Sequence, residues 1–232
     1  WHNCSMESGT GKSIAMEPGD AIIVPQDVAQ FNLVDSTLDW SRVMMQVGVS
    51  LASMKTIGVF TSGGDAPGMN AAIRAVARMG IYKGLKIKAF RHGYRGLLEN
   101  DFVELEASSV ANILQRGGTI LKTSRLPEMH QFQTREKVAE CIRKNALDGL
   151  VCIGGNGSFA GAHILSEEFG IRIVGVPATI DNDIWGTEQT IGFDTAINTA
   201  MEAIDRIRDT AASHDRLFIV EVMGRDTGFI AT

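Results

Sequence analysis

Residues 171–183 read Ile-Arg-Ile-Val-Gly-Val-Pro-Ala-Thr-Ile-Asp-Asn-Asp. A β-branched run that closes on Gly and Pro is the pattern of a buried parallel strand. Such a strand carries Thr179, Asp181 and Asp183 onto the loop beyond its C-terminal end. In open α/β sheets that edge is where ligands bind. Carboxylates two residues apart can divide the work, one taking a hydroxyl proton and one holding a metal. Taken alone, the same residues also fit an acidic turn that caps the next helix.

Outward from this strand, hydrophobic runs and amphipathic stretches alternate from Lys55 onward. Strands are expected over 56–61, 85–91, 149–153, 171–176 and 217–222, and helices over 68–82, 107–116, 133–146, 158–169 and 194–212. Alternation of this kind predicts an α/β fold: a three-layer, Rossmann-like parallel sheet with helices on both faces.

Composition agrees. The 232 residues are 44% hydrophobic, with 25 Gly and five Pro, as in a glycine-punctuated α/β protein. A net charge of −5 without a basic cluster argues against a nucleic-acid surface. Cys4, Cys141 and Cys152 share no metal-ligand spacing and read as reduced thiols of a cytoplasmic protein. No apolar run approaches the ~18 residues of a membrane span. The acidic excess is concentrated before Lys55, so residues 1–53 are expected to be an unassigned leader or fusion segment and 54–232 a separate domain. That leader contains a turn and short strand, Glu17-Pro-Gly-Asp-Ala-Ile-Ile-Val-Pro25. It also holds Gly9-Thr-Gly-Lys-Ser13, but a nucleotide P-loop needs a glycine where Met6 stands and a strand before it.

Two glycine loops are better placed. Thr61-Ser-Gly-Gly-Asp-Ala-Pro-Gly-Met-Asn70 follows a strand and opens a helix, and Cys152-Ile-Gly-Gly-Asn-Gly-Ser158 repeats the arrangement. Paired glycines let backbone N–H groups approach a phosphate, and the helix dipole adds attraction for an anion. Each loop alone also fits a tight strand-to-helix turn. Two of them beside the Asp181 loop supply the parts of a phosphoryl-transfer site: amides for phosphates, carboxylates for Mg²⁺ and a base.

The motifs Ser62-Gly-Gly-Asp-Ala-Pro-Gly-Met-Asn-Ala-Ala-Ile-Arg74, Gly117-Gly-Thr-Ile-Leu121, Gly154-Gly-Asn-Gly-Ser158, Thr179-Ile-Asp-Asn-Asp183, Thr190-Ile-Gly-Phe193 and Val222-Met-Gly-Arg225 together resemble the 6-phosphofructokinase family, in the family's order, over 54–232. The resemblance implies transfer of the γ-phosphoryl of MgATP to O1 of fructose 6-phosphate, a step of glycolysis. It implies Asp181 as general base, Thr179 as its helper, and Arg225 as the counter-charge to the moving phosphoryl group. Asp183, with Asn156, would hold Mg²⁺. Gly64, Tyr94, Arg125, Asn156, Gly157, Ser158 and Gly161 match nucleotide positions. Met223, Gly224, Arg225 and Arg216 match sugar-phosphate positions, Arg216 reaching a neighbouring subunit. Arg74, Arg78 and Arg208 match an effector site for ADP or phosphoenolpyruvate in a homotetramer, although surface arginines also form solvated stripes.

This sequence departs from the family at three points. Asn156 stands where aspartate is usual, which keeps an oxygen ligand and loses a charge. Gly157 and Ala178 stand where pyrophosphate users carry aspartate and lysine, which favours ATP as donor. The later residues that grip fructose 6-phosphate are absent, so the chain is expected to be truncated at its C-terminus, with a second domain only begun, and poorly active alone. Alternatives are a pyrophosphate-dependent phosphofructokinase and a non-catalytic nucleotide-binding regulatory subunit. NAD and lipid kinases share a glycine loop but not the Thr-Ile-Asp-Asn-Asp loop. His92, His130, His163 and His214 share no ligand spacing and are expected at surfaces or interfaces.

Overall fold

The computed structural model describes residues 55–232 apart from residues 215 and 225. Expectations on residues 1–54, including the Gly9–Ser13 motif and the 17–25 strand, lie outside the described residues. Among the described residues five strands form one sheet: β1 (Thr56–Ser62), β2 (Lys86–Phe90), β3 (Phe102–Glu104), β4 (Gly149–Gly154) and β5 (Ile173–Pro177). Their order is β3-β2-β1-β4-β5. The helices are α1 (Met69–Tyr82), α2 (Tyr94–Glu99), α3 (Phe132–Lys144), α4 (Asn156–Phe169) and α5 (Phe193–Ser213), with a 3₁₀ turn at Pro127–His130.

β1 is central and alternates between two cores. Val59 packs with Met69, Ile73 and Ala77 of α1 on one face. Phe60 packs with Val138 and Ile142 of α3 and Leu165 of α4 on the other. Helices therefore cover both faces, as the hydrophobic patterning predicts. The spacing of Met69, Ile73 and Ala77 is one stripe of a helix. Each fully buried Phe or Leu in these cores contributes about 1.5–3 kcal/mol.

The buried stripe of α3 includes Arg135. Its guanidinium meets Glu168 of α4 through two bonds, Nε to Oε2 at 2.7 Å and a second to Oε1 at 2.6 Å. It also donates to the carbonyls of Met129 and His130. One side chain thus ties two helices to the 3₁₀ turn. The hydrogen bond from Arg135 holds the Glu168 carboxyl below its ordinary range.

Three expectations are corrected. Residues 107–116 form successive turns rather than a helix. There the Ser109 hydroxyl accepts the Glu106 N–H, and Asn112 has φ 54°, both of which compete with a helical ladder. Residues 217–222 form no strand; Leu217 and Ile219 are 89% and 92% exposed and the segment has no ladder partner among the described residues. The sheet is not wholly parallel, because β3 pairs antiparallel to β2. Beyond these, α2 and β3 were not expected. A six-residue helix is too short to show a period, and its left-handed Asn100 cap is the visible signal.

Candidate active site

Three loops leave the sheet at one level. Ser62 of β1 is in register with Gly154 of β4, which is in register with Pro177 of β5. The first glycine loop, the second glycine loop and the Asp181 loop therefore begin side by side at the C-terminal edge. β1 lies between β2 and β4, so connections run in opposite directions on its two sides. This is a topological switch point, where open α/β sheets form a ligand crevice.

The row is tight at its base. A Cβ at Gly154 would lie 2.5 Å from the Ser62 carbonyl oxygen, so only glycine fits there. Gly63 has φ 90°, the conformation that turns the first loop out of β1. Above the base the crevice is open: a Cβ at Gly64 or Gly157 would meet no atom within 4 Å. These two glycines leave their backbone open at the mouth of the two loops.

Buried polar side chains hold the first loop. Asn70, 1% exposed, donates to the Arg116 and Gly117 carbonyls and accepts the Ile120 N–H at 2.7 Å. Thr61 donates to the Lys122 carbonyl, and Thr123 donates to the Gly63 carbonyl at 2.7 Å. The 116–124 segment is thereby fastened to the first glycine loop, and Arg125 stands exposed just beyond it. Asn70, Thr61 and Thr123 were not singled out from sequence. Their one signal is polar residues flanking glycines.

The second loop rests on Tyr94. Its hydroxyl donates to the Ser158 carbonyl at 2.6 Å, its ring packs on Phe60 at 4.9 Å, and Gly161 faces the phenol. Burial pushes the Tyr94 hydroxyl well above its ordinary pKa. Tyr94 is 4% exposed, so it lies beneath the loop rather than on its surface. Ser158 is also buried, whereas Asn156 and Gly157 are exposed. Cys152, pushed up to about 12 by burial, is an inert neighbour.

The third loop is shaped mostly by its own polar groups. Asp181 N–H donates to the Thr179 hydroxyl at 3.2 Å. Thr190 donates its hydroxyl to the Thr179 carbonyl and its N–H to Asn182 Oδ1. Asn182 has φ 50°, a conformation Asn tolerates. Thr179, Asp181 and Asp183 are all half-buried. The loop meets the second glycine loop where the Ala178 N–H donates to the Gly154 carbonyl and Asn156 Nδ2 donates to the Asp183 carbonyl. A Cβ at Gly155 would lie 3.5 Å from Thr179 Cβ. Thr227 bridges the Asp181 and Gly224 carbonyls, which brings the 224–227 turn to the same place.

The remaining expected residues are scattered. Gly224 is buried while Met223 is exposed, and Arg225 lies outside the described residues. Arg216 is exposed beyond the end of α5. Arg74 donates to the Val110 carbonyl from α1, Arg208 pairs with Asp205 on α5, and Arg78 is exposed. Of the candidate effector arginines, Arg74 and Arg78 share α1 and Arg208 is on α5, and two have local partners. Among the described residues no group of three or more His, Cys, Asp and Glu could hold a metal alone. Mg²⁺ bound through phosphates needs only one or two carboxylates, so Asp183, whose loop meets Asn156, fits a nucleotide-borne ion.

The sheet and its switch-point crevice define an α/β protein whose glycine loops and paired aspartates gather at the C-terminal edge. The sequence model of the phosphofructokinase family matches residues 56–232, and the chain belongs to that family. It is 59% identical over 178 residues to the ATP-dependent 6-phosphofructokinase of Thermoanaerobacter sp. (strain X514), covering 77% of this chain and 56% of the relative. Among solved structures, phosphofructokinase from Saccharomyces cerevisiae is 38% identical with a TM-score of 0.73, over 76% of this chain and 27% of that one. A pyrophosphate-dependent phosphofructokinase from Marinobacter aquaeolei is 25% identical with a TM-score of 0.64, over 77% of this chain and 48% of that one. The chain spans about half the length of the curated relatives it matches. No helix among the described residues is long and apolar enough to cross a membrane.

Proposed function

We propose that this chain carries the donor side and the general base of an ATP-dependent 6-phosphofructokinase. The observation that carries the reading is the row Ser62–Gly154–Pro177, which starts an open glycine cradle and the Asp181 loop side by side. In this reading the amides of Gly64 and Gly157 face the donor phosphates, and the helix N-termini behind them add attraction for anions. Asp181 takes the proton from the 1-hydroxyl of fructose 6-phosphate as O1 forms its bond to the γ-phosphorus. The bond from that phosphorus to the β-bridging oxygen breaks, and ADP leaves. Thr179 serves by holding the Asp181 backbone. Mg²⁺, when bound, would neutralise charge on the phosphates, and Asp183, with Asn156, would hold it. Arg125 and Arg225 would counter phosphate charge, and Arg216, Met223 and Gly224 would face the sugar.

ATP is preferred over pyrophosphate because Gly157 leaves open space and Ala178, fully buried, offers no cation. The ATP-dependent 6-phosphofructokinases 59% identical to this chain point the same way. We keep an effector role for Arg74, Arg78 and Arg208, and a homotetramer, as part of the same proposal. The test is turnover of ATP with fructose 6-phosphate by the chain and by Asp181→Asn. The variant is expected to lose 10²-fold or more, the scale of a positioned base, while still binding ATP. Near-normal turnover in Asp181→Asn would sink the assignment of the base.

A further inference from the structure

We propose that Asn156 is the positioning residue that holds the Asp181–Asp183 loop against the donor cradle, in the place where a carboxylate would need a cation to do so. The inference rests on the phosphoryl-transfer reading above for its consequence, though not for its geometry. Asn156 is the first residue of α4, and its Nδ2 donates to the Asp183 carbonyl at 2.9 Å. That bond joins the loop after β4 to the loop after β5, two residues beyond Asp181. A second crossing bond, from Ala178 to Gly154, lies at the base of the crevice. Bonds from Asn182 and Thr190 close the Asp181 loop on itself and do not set its distance from the cradle. The Asn156 amide sets that distance at the rim.

The direction of the bond matters. The Asp183 carbonyl can only accept, so its partner must donate. A carboxylate at position 156 would set anionic oxygen against carbonyl oxygen, a repulsion that a proton or a divalent cation between them relieves. Asn156 makes the same link with an N–H and no ion. Coupling between the two loops is therefore independent of Mg²⁺ in this protein, and an aspartate at this position makes it dependent on Mg²⁺.

Trp185 provides the readout. It lies two residues past Asp183 and is 74% exposed. With Trp1 and Trp40 replaced by Phe in the 232-residue chain, Trp185 is the sole indole, and its anisotropy and acrylamide quenching report the loop. The experiment compares the parent with N156A and N156D across a MgCl2 titration at constant ionic strength, without nucleotide. Both variants are expected to show lower anisotropy and stronger quenching than the parent. Mg²⁺ restores the parent values in N156D and leaves N156A unchanged. Equal Mg²⁺ responses in N156A and N156D, or variants identical to the parent throughout, overturn the proposal. Turnover is the second readout: loss of one hydrogen bond predicts a roughly 2- to 10-fold lower kcat in N156A. A parent chain that does not bind MgATP would count against the functional reading alone, because the Trp185 result stands without it.

Discussion

α3 and α5 are both amphipathic helices, and they differ sharply in what they bury. α3, with 13 residues, buries Arg135, Val138, Ala139, Cys141 and Ile142 against the sheet. α5, with 21 residues, buries Phe193. Met201 on α5 is 57% exposed, and Leu217, Ile219 and Met223 beyond it are more so. The donor side of the crevice is therefore founded on a packed sheet. Arg216, Met223 and Gly224, proposed to face the sugar, lie in the segment beyond α5, which lacks that foundation. Periodicity announces a helix with an apolar stripe, and it does not say what covers the stripe.

That contrast makes stability strongly position-dependent. Phe60, fully buried between β1 and the α3–α4 layer, is the most demanding test. Phe60→Ala is expected to cost about 3–5 kcal/mol in urea unfolding. Asn70→Ala should cost about 1–3 kcal/mol, because the buried Ile120 N–H loses its acceptor. It should also weaken ATP binding, since the 116–124 segment is released from the first glycine loop. Leu217→Ser is expected to change stability by less than about 0.5 kcal/mol. A cost at Leu217 comparable to that at Phe60 would break the comparison and require 217–222 to be packed in solution.

The smallest effect concerns acid. Asp148 accepts the N–H groups of Thr56 and Lys55 at 2.8 and 2.6 Å, closing the start of β1. The Thr56 bond, followed by the Lys55 bond, lowers its pKa. A carboxyl depressed in the folded state stabilises at neutral pH, and that stabilisation is lost as pH falls through its folded value. Asp148→Asn should therefore lower Tm at pH 7 and flatten the fall in Tm below about pH 4. An unchanged acid limb would mean that this cap contributes nothing.

Much of this was legible in the sequence, for identifiable reasons. β4 and β5 end on glycine and proline and β1 runs into the Gly63–Gly64 pair, and the two glycine loops and the Asp181 loop follow them directly. What stayed hidden depends on partners distant in sequence. Asn70 finds the 116–120 backbone, Tyr94 finds Ser158, and the Asn156 amide finds Asp183. Local pattern carries no such pairing. The 217–222 run shows the converse error: β-branched residues signal a strand, but a ladder needs a neighbour.

The central claim is that the open cradle at Gly64 and Gly157 takes the phosphates of ATP. Calorimetric titration of the 232-residue chain with MgATP and with magnesium pyrophosphate, alongside Gly157→Asp, tests it most directly. The account predicts that MgATP binds more tightly than pyrophosphate, and that Gly157→Asp weakens ATP binding by filling the open side with a negative charge. Tighter binding of pyrophosphate, or undiminished ATP binding in Gly157→Asp, would contradict it.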